Sequence, residues 1–187
     1  MQFQETILNG AFVVDLERRV DNRGHFARAF CRREFEDHGL NPAVEQVNVA
    51  RSTRKGTVRG MHFQFPPHAE AKLVRATRGA ILDVAVDLRP ESPTFLRHLA
   101  MELTADEQRA LYLPERFAHG YQTLEAEAEV LYLTSEAYAP EFDAGLSPFD
   151  PCLGIAWPLP VSEISARDAG SKPLDEVLDE LKRRMAP

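Results

Sequence analysis

From Ile81 to Arg89 the chain alternates: Leu82, Val84, Val86 and Leu88 fall on one phase, and Asp83, Ala85 and Asp87 on the other. A period of two is the signature of a half-buried strand, because successive side chains leave opposite faces of a sheet. Arg97–Leu103 places Leu99, Met101 and Leu103 on one face. In Glu129–Thr134, Val130 and Tyr132 point one way, Leu131 and Leu133 the other. Phe12–Leu16, Val44–Arg51, Val58–Phe65 and Leu73–Arg78 are further strand candidates. Turn signals part them: Asn22-Arg23-Gly24, Lys55-Gly56, Pro66-Pro67, Arg78-Gly79 and Arg89-Pro90-Glu91-Ser92-Pro93. Many short strands at this spacing predict an antiparallel sandwich or barrel.

Helices are expected only at the periphery. Arg33–His38 reads as a short helical turn stopped by Gly39, and Thr104 and Glu107 have the spacing of a capping box. Leu174, Val177, Leu178 and Leu181 recur at helical spacing, which predicts a C-terminal helix over about 173–185 with an apolar docking stripe. With 187 residues and no repeat, low-complexity tract or linker, the chain reads as one domain over residues 1–187. Cys31 and Cys152 are too few for a disulfide framework. The apolar stretch Ala80–Leu88 is interrupted by two aspartates and falls short of the roughly 20 residues that a membrane span needs. The start, Met-Gln-Phe-Gln-Glu, lacks the layout of a signal peptide. These features lead us to expect a cytoplasmic protein with no membrane partner.

Charge is distributed unevenly. The formal net charge is -7, which argues against a nucleic-acid polymer as partner, since such binding draws on a basic surface. Residues 51–78 nevertheless hold seven Lys and Arg against a single acid, Glu70, a local net of +6 that leaves -13 for the remainder. A basic island in an acidic chain is a candidate anion site, although outward, solvated strand faces would give the same count.

Two of the six histidines stand in informative surroundings. His62 lies in Arg59-Gly-Met-His-Phe-Gln64, inside the island, and His119 lies in Pro114-Glu-Arg-Phe-Ala-His-Gly120. On a cupin-like barrel, histidines from two strands converge inside, because alternate residues point inward. A metal-binding barrel of that type would offer a second His where this chain has Gln64, and Lys72 lies near the expected carboxylate. A protonated Lys repels a cation and supplies no ligand. His62, His68, Glu70 and His119 are thus a disfavoured metal set, and no cofactor is expected. Proton transfer suits the same groups: a neutral His as base, Lys72 for a developing enolate oxygen, and Tyr132 as an acid. A merely buried tyrosine would satisfy the spacing equally well.

The ordered motifs Lys55-Gly-Thr-Val-Arg-Gly-Met-His-Phe-Gln64, Pro66-Pro67 and Lys72-Leu-Val74 resemble the dTDP-4-dehydrorhamnose 3,5-epimerase family. So do Asp21-Asn-Arg-Gly-His-Phe26, Asp83-Val-Ala-Val-Asp87, Ser92-Pro-Thr-Phe95, Phe117-Ala-His-Gly120, Leu131-Tyr132 and Ile155-Ala-Trp-Pro158. The resemblance covers about Phe3 to Leu174. It implies a metal-free, mostly β, cupin-type jelly-roll barrel and a homodimer in which N-terminal residues help build the partner's site. It also implies a nucleotide-diphosphate sugar as substrate, a 4-keto-6-deoxy sugar epimerised at C3 and C5. By resemblance His62 matches the base, Asp168 its orienting carboxylate, Tyr132 the proton donor and Lys72 the residue near the C4 oxygen. Arg23, Phe26, Arg28, Gln46 and Asn48 match the substrate-binding surface, with Arg59, His119, Tyr138, Asp143 and Arg167.

The departures are specific. The family usually has Glu where this chain has Arg28 and Asp143, Gly where it has Arg116, and Asp where it has Val47. Arg28 reverses charge and turns an acceptor into a donor, so a nucleotide other than dTDP, or an extra phosphate contact, is an open expectation. The alternatives are a single-carbon epimerase or ketoisomerase on a related sugar, a metal-dependent cupin enzyme, and a non-catalytic sugar-binding cupin.

Overall fold

The alternating stretches become strands. A computed structural model describes residues 1–186. In chain order they form β1 (Gln2–Glu5), β2 (Phe12–Asp15), β3 (Arg19–Asp21), β4 (Gly24–Phe26), α1 (Arg32–Asp37), β5 (Gln46–Ser52), β6 (Thr57–Gln64), β7 (Lys72–Arg78) and β8 (Ala80–Asp87). There follow β9 (His98–Thr104), β10 (Ala110–Leu113), β11 (Phe117–Thr123), β12 (Ala128–Thr134), β13 (Asp143–Gly145), β14 (Glu163–Ile164), α2 (Ala166–Ala169) and α3 (Leu174–Arg184). One sheet runs β1-β2-β10-β7-β12-β5. A second runs β13-β6-β11-β8-β9, with β14 also on β6, and β3–β4 is a separate hairpin. Among the described residues only β14 pairs in parallel.

The two large sheets stack as a jelly roll, and three apolar clusters hold it. Between the sheets, Val74, Leu111 and Val130 of the first meet Ile81, Ala85 and Leu103 of the second. Outside the second sheet, Met61, Phe63, Val84 and Val86 lie under Leu174 and Leu181 of α3. Outside the first, Leu73 and Tyr112 lie under Phe35 of α1. Burying one such side chain contributes about 1.5–3 kcal/mol. The C-terminal stripe is therefore a docking face, as its spacing predicts. Acids in the first turn of α3 and Lys182, Arg183 and Arg184 in its last turn complement the helix dipole.

Two expectations are corrected. Strand β8 is buried on both faces, not one: Asp83 and Asp87 are both 0% exposed. Its apolar phase lies outside the barrel under α3, so the aspartate phase turns inward. Thr104 and Glu107 do bond, through Glu107 N–H to Thr104 Oγ1 at 3.2 Å, but no helix follows. The segment is a turn between β9 and β10. Arg116 occupies left-handed backbone at φ 64°, the conformation that favours glycine. Its guanidinium donates to the Met185 carbonyl at 2.6 Å and to Glu91 at 2.6 Å, tying the end of α3 to the loop after β8. Among the described residues no helix is long and apolar enough to cross a membrane.

Candidate active site

A cavity of about 390 Å³ opens between the sheets. Gln46 and Asn48 of β5, Lys72 of β7 and Tyr132 of β12 form the wall from the first sheet. Arg59 and His62 of β6, with His119 and Tyr121 of β11, form the opposite wall. Tyr138, Asp143 and Arg167 also line it. Arg167 pairs with Asp143 at 2.6 Å, and the Tyr138 hydroxyl donates to the same carboxylate at 2.9 Å.

Strict alternation would not put Arg59 and His62 on one face, since they are three residues apart. The ladder explains it. His119 pairs with His62 and Tyr121 with Arg59, so Gly60 and Met61 of β6 lie opposite the single Gly120 of β11. Such a bulge re-aims side chains. It needs two glycines. A Cβ on Gly60, at φ 120°, would sit 2.5 Å from the Gly120 Cα, and one on Gly120 would sit 2.7 Å from the Arg59 carbonyl.

His62 Nε2–H donates to Asp168 Oδ1 at 2.8 Å, leaving the other ring nitrogen to take a proton. Asp168 is anchored in turn. Its Oδ2 accepts from Gly60 N–H at 3.1 Å, and its own N–H donates to Ser165, the N-cap of α2. Burial pushes the His62 imidazolium below the ordinary histidine range. Asp168 opposes this, and Lys72 and Arg167 add to it. Burial alone would raise the Asp168 carboxyl, but hydrogen bonds from His62 and Gly60 outweigh it and hold the group low. The Tyr132 phenol is raised, first by burial and then by the charge of Glu70. A neutral base on one wall and a protonated phenol on the other are the pair that proton abstraction and return require.

His119 has a dyad of its own, with Nε2 2.7 Å from Asp83 Oδ1. The inward aspartate phase of β8 makes this pair. Glu70 also lines the cavity and pairs with Lys72 at 2.8 Å. The sequence marked it as the single acid of the basic island and as a member of the disfavoured metal set, not as a partner of Lys72. Gln64 donates to the His68 and Ala137 carbonyls and accepts from Ala139 N–H, so it is tied into the wall. In the disfavoured metal set, His62, Glu70 and His119 have the partners just named and His68 lies 3.8 Å from Glu136. Among the described residues no group of three His, Cys, Asp or Glu is placed to hold a metal ion.

The basic island does not act as a unit. Arg59 and Lys72 enter the cavity, but Arg51 pairs with Glu127 and Arg75 donates to the Ala29 carbonyl outside the barrel. Arg23, Phe26 and Arg28 are not brought into this cavity. Arg23 pairs with Asp21 at 2.6 Å, Phe26 is 69% exposed on the hairpin, and Arg28 pairs with Glu34 at 2.9 Å.

A family model described as dTDP-4-dehydrorhamnose 3,5-epimerase matches residues 5–176. The chain belongs to the dTDP-4-dehydrorhamnose 3,5-epimerase family. It is 40% identical over 178 residues to the dTDP-4-dehydrorhamnose 3,5-epimerase of Methanothermobacter thermautotrophicus, covering 94% of this chain and 95% of that protein. It is 37% identical to the dTDP-4-dehydrorhamnose 3-epimerase of Streptomyces niveus, covering 96% and 86%. The crystal structure of dTDP-6-deoxy-D-glucose-3,5-epimerase from Legionella pneumophila, in complex with dTDP-4-keto-L-rhamnose, superposes with a TM-score of 0.90 at 33% identity and covers 96% of each chain. Against this family's usual pattern, Val47 points outward from β5 at 59% exposure, away from the cavity. Asp143 keeps a carboxylate at the cavity, and Arg116 serves the barrel's outer packing.

Proposed function

We propose that the protein epimerises a nucleotide-linked 4-keto-6-deoxy sugar at C3 and C5 without a cofactor, most simply converting dTDP-4-dehydro-6-deoxyglucose to dTDP-4-dehydrorhamnose. The observation that carries this reading is the placement of His62 and Tyr132 on opposite walls of one cavity, with Lys72 between the same sheets. His62 removes a proton α to the C4 ketone, Lys72 meets the oxygen as the enolate forms, and Tyr132 returns a proton to the opposite face. One proton leaves and one arrives at each carbon, so the step is redox-neutral. Arg59 and Arg167 supply positive groups for the diphosphate, His119 stands beside them in the lining, and Gln46 and Asn48 supply amides for the rest of the nucleotide.

The protein acts as a cytoplasmic homodimer in this reading. The β3–β4 hairpin belongs to neither large sheet, and Val20, Phe26, Val47 and Val49 are exposed. Arg23, Phe26 and Arg28 then reach the cavity of a second copy. Mixing an Arg23→Ala variant with a His62→Ala variant should restore part of the activity that each has lost. No restoration in a proven mixed dimer argues against sharing.

The relative from Streptomyces niveus keeps a single-carbon epimerase in play. Incubation with a panel of 4-keto-6-deoxy sugar nucleotides in deuterated water, read by NMR, separates the two. Label at C3 and C5 supports the proposal, label at one carbon selects the alternative, and label at neither overturns both.

A further inference from the structure

Residues 51–78 contain one acid, and the proton-transfer chemistry gives it no task. Glu70 stands two residues before β7 and lines the cavity. Its Oε1 lies 2.8 Å from Lys72 Nζ, with the two side chains only 13% and 8% exposed. A solvated surface carboxylate is therefore excluded. A carboxylate here also opposes the binding of an anion, since like charges repel in a partly desolvated site. Its presence needs a reason that outweighs this cost.

The other acids around the cavity are engaged. Asp168 serves His62, Asp83 serves His119, and Asp143 serves Arg167 and Tyr138. Glu70 is thus the carboxylate that meets Lys72. A buried ammonium needs an acceptor or counter-charge, and a lysine stem has four carbons that nothing in its own geometry holds still.

We propose that Glu70 is a positioning residue of the epimerisation, acting through two neighbours: it fixes the Lys72 ammonium that meets the C4 oxygen, and it keeps the proton of the Tyr132 phenol in reserve. The proposal rests on the epimerase reading above. Tyr132 supports it. Burial raises its phenol most, Glu70 raises it further, and Arg59 draws it down. Around these groups stand Arg59 and His62 on β6, His119 and Tyr121 on β11, and Lys72 on β7, with Arg167 and Asp143 closing the lining. Glu70 offsets the pull of Arg59 at the one place where a proton must stay on oxygen.

The test compares wild type, Glu70→Gln and Glu70→Asp. Gln keeps the size and an acceptor but removes the charge. Tyr132 is titrated in the free protein by NMR of ring-labelled tyrosine, assigned with Tyr132→Phe. We expect its midpoint to move down in Glu70→Gln and to stay near wild type in Glu70→Asp. The kcat of Glu70→Gln should fall about 10–100-fold while KM holds or improves, and Glu70→Asp should recover part of that loss. An unmoved Tyr132 midpoint overturns the proposal. So does a Glu70→Gln enzyme with wild-type kcat, or one whose losses in kcat, KM and thermal midpoint together mark a damaged fold. The titration uses no substrate. A wild-type protein that exchanges neither C3 nor C5 would sink the epimerase reading and leave the Tyr132 result to be judged by itself.

Discussion

His62 and His119 face each other on adjacent strands, and each directs a ring nitrogen to a different aspartate. The two pairs are braced differently. Asp168 is fixed through Gly60 and the cap of α2. Asp83 holds His119 with one oxygen, and its Oδ2 is buried without a partner among the described residues. The braced pair is the one suited to cycle a proton, because its carboxylate stays ionised through each imidazolium.

Replacing His62 by Ala should abolish solvent exchange at C3 and C5, a loss of at least about 10²–10⁴-fold, while dTDP still binds. Deuterium incorporation and calorimetric titration check the two halves. Normal exchange would remove His62 from the role of base.

The pH dependence of kcat/KM has a defined sign. A base works when deprotonated, and burial lowers the His62 midpoint from the ordinary 6.5. The acidic limb should lie below that value. Asp168 raises the His62 midpoint, so Asp168→Asn should move the limb further into acid while the plateau rate drops about 10²–10⁴-fold. A limb that moves toward neutrality would contradict the assignment.

Tyr132→Phe keeps the ring and removes the acid. Epimerised product should fall about 10²–10⁴-fold, with KM changed little. If C–H exchange on the His62 side survives while product is lost, the phenol delivers the proton. Equal loss of both would point to a binding role.

Asp83→Asn leaves His119 with an uncharged partner. Charge-assisted hydrogen bonds are the stronger kind, so KM for the sugar nucleotide should rise about tenfold with kcat near wild type. Initial-rate kinetics decide it, and an unchanged KM would separate His119 from substrate binding.

Gly120→Ala should destabilise the fold by about 1–3 kcal/mol, because the new methyl meets the Met61 sulfur and the Arg59 carbonyl. Chemical denaturation measures this. A wild-type midpoint would mean that β6 and β11 can separate without harm.

Period-two patterning and turn signals located β2, β5 to β9 and β12 to within about two residues, because side-chain alternation is imposed by the pleat itself, but β11, which carries His119, was not read as a strand. The patterning gave β8 as half-buried. Alternation reports two faces, and with α3 covering the outside, both faces of β8 are buried. The Thr104 turn failed for a similar reason: a capping contact is local, and whether a helix follows depends on what packs beyond it. His62, Tyr132 and Lys72 were legible because each is a reactive type within a dense motif. Asp83 and Glu70 were not, since their meaning lies in partners. His119 is 36 residues from Asp83 in the chain, and Glu70 resembles any exposed acid until its burial is known. The bulge at Gly60 was hidden as well, because it breaks the alternation that located its strand.

Asp168 reaches His62 from 106 residues further along the chain. Every strand that lines the cavity wall precedes α2. The strands of the pocket's walls therefore all come earlier in the chain than Ser165–Ala169, the segment that equips the base, and α3 follows it. Competence for proton transfer therefore waits on a segment that contributes no strand to the cavity wall, and the same segment brings Arg167 to the lining.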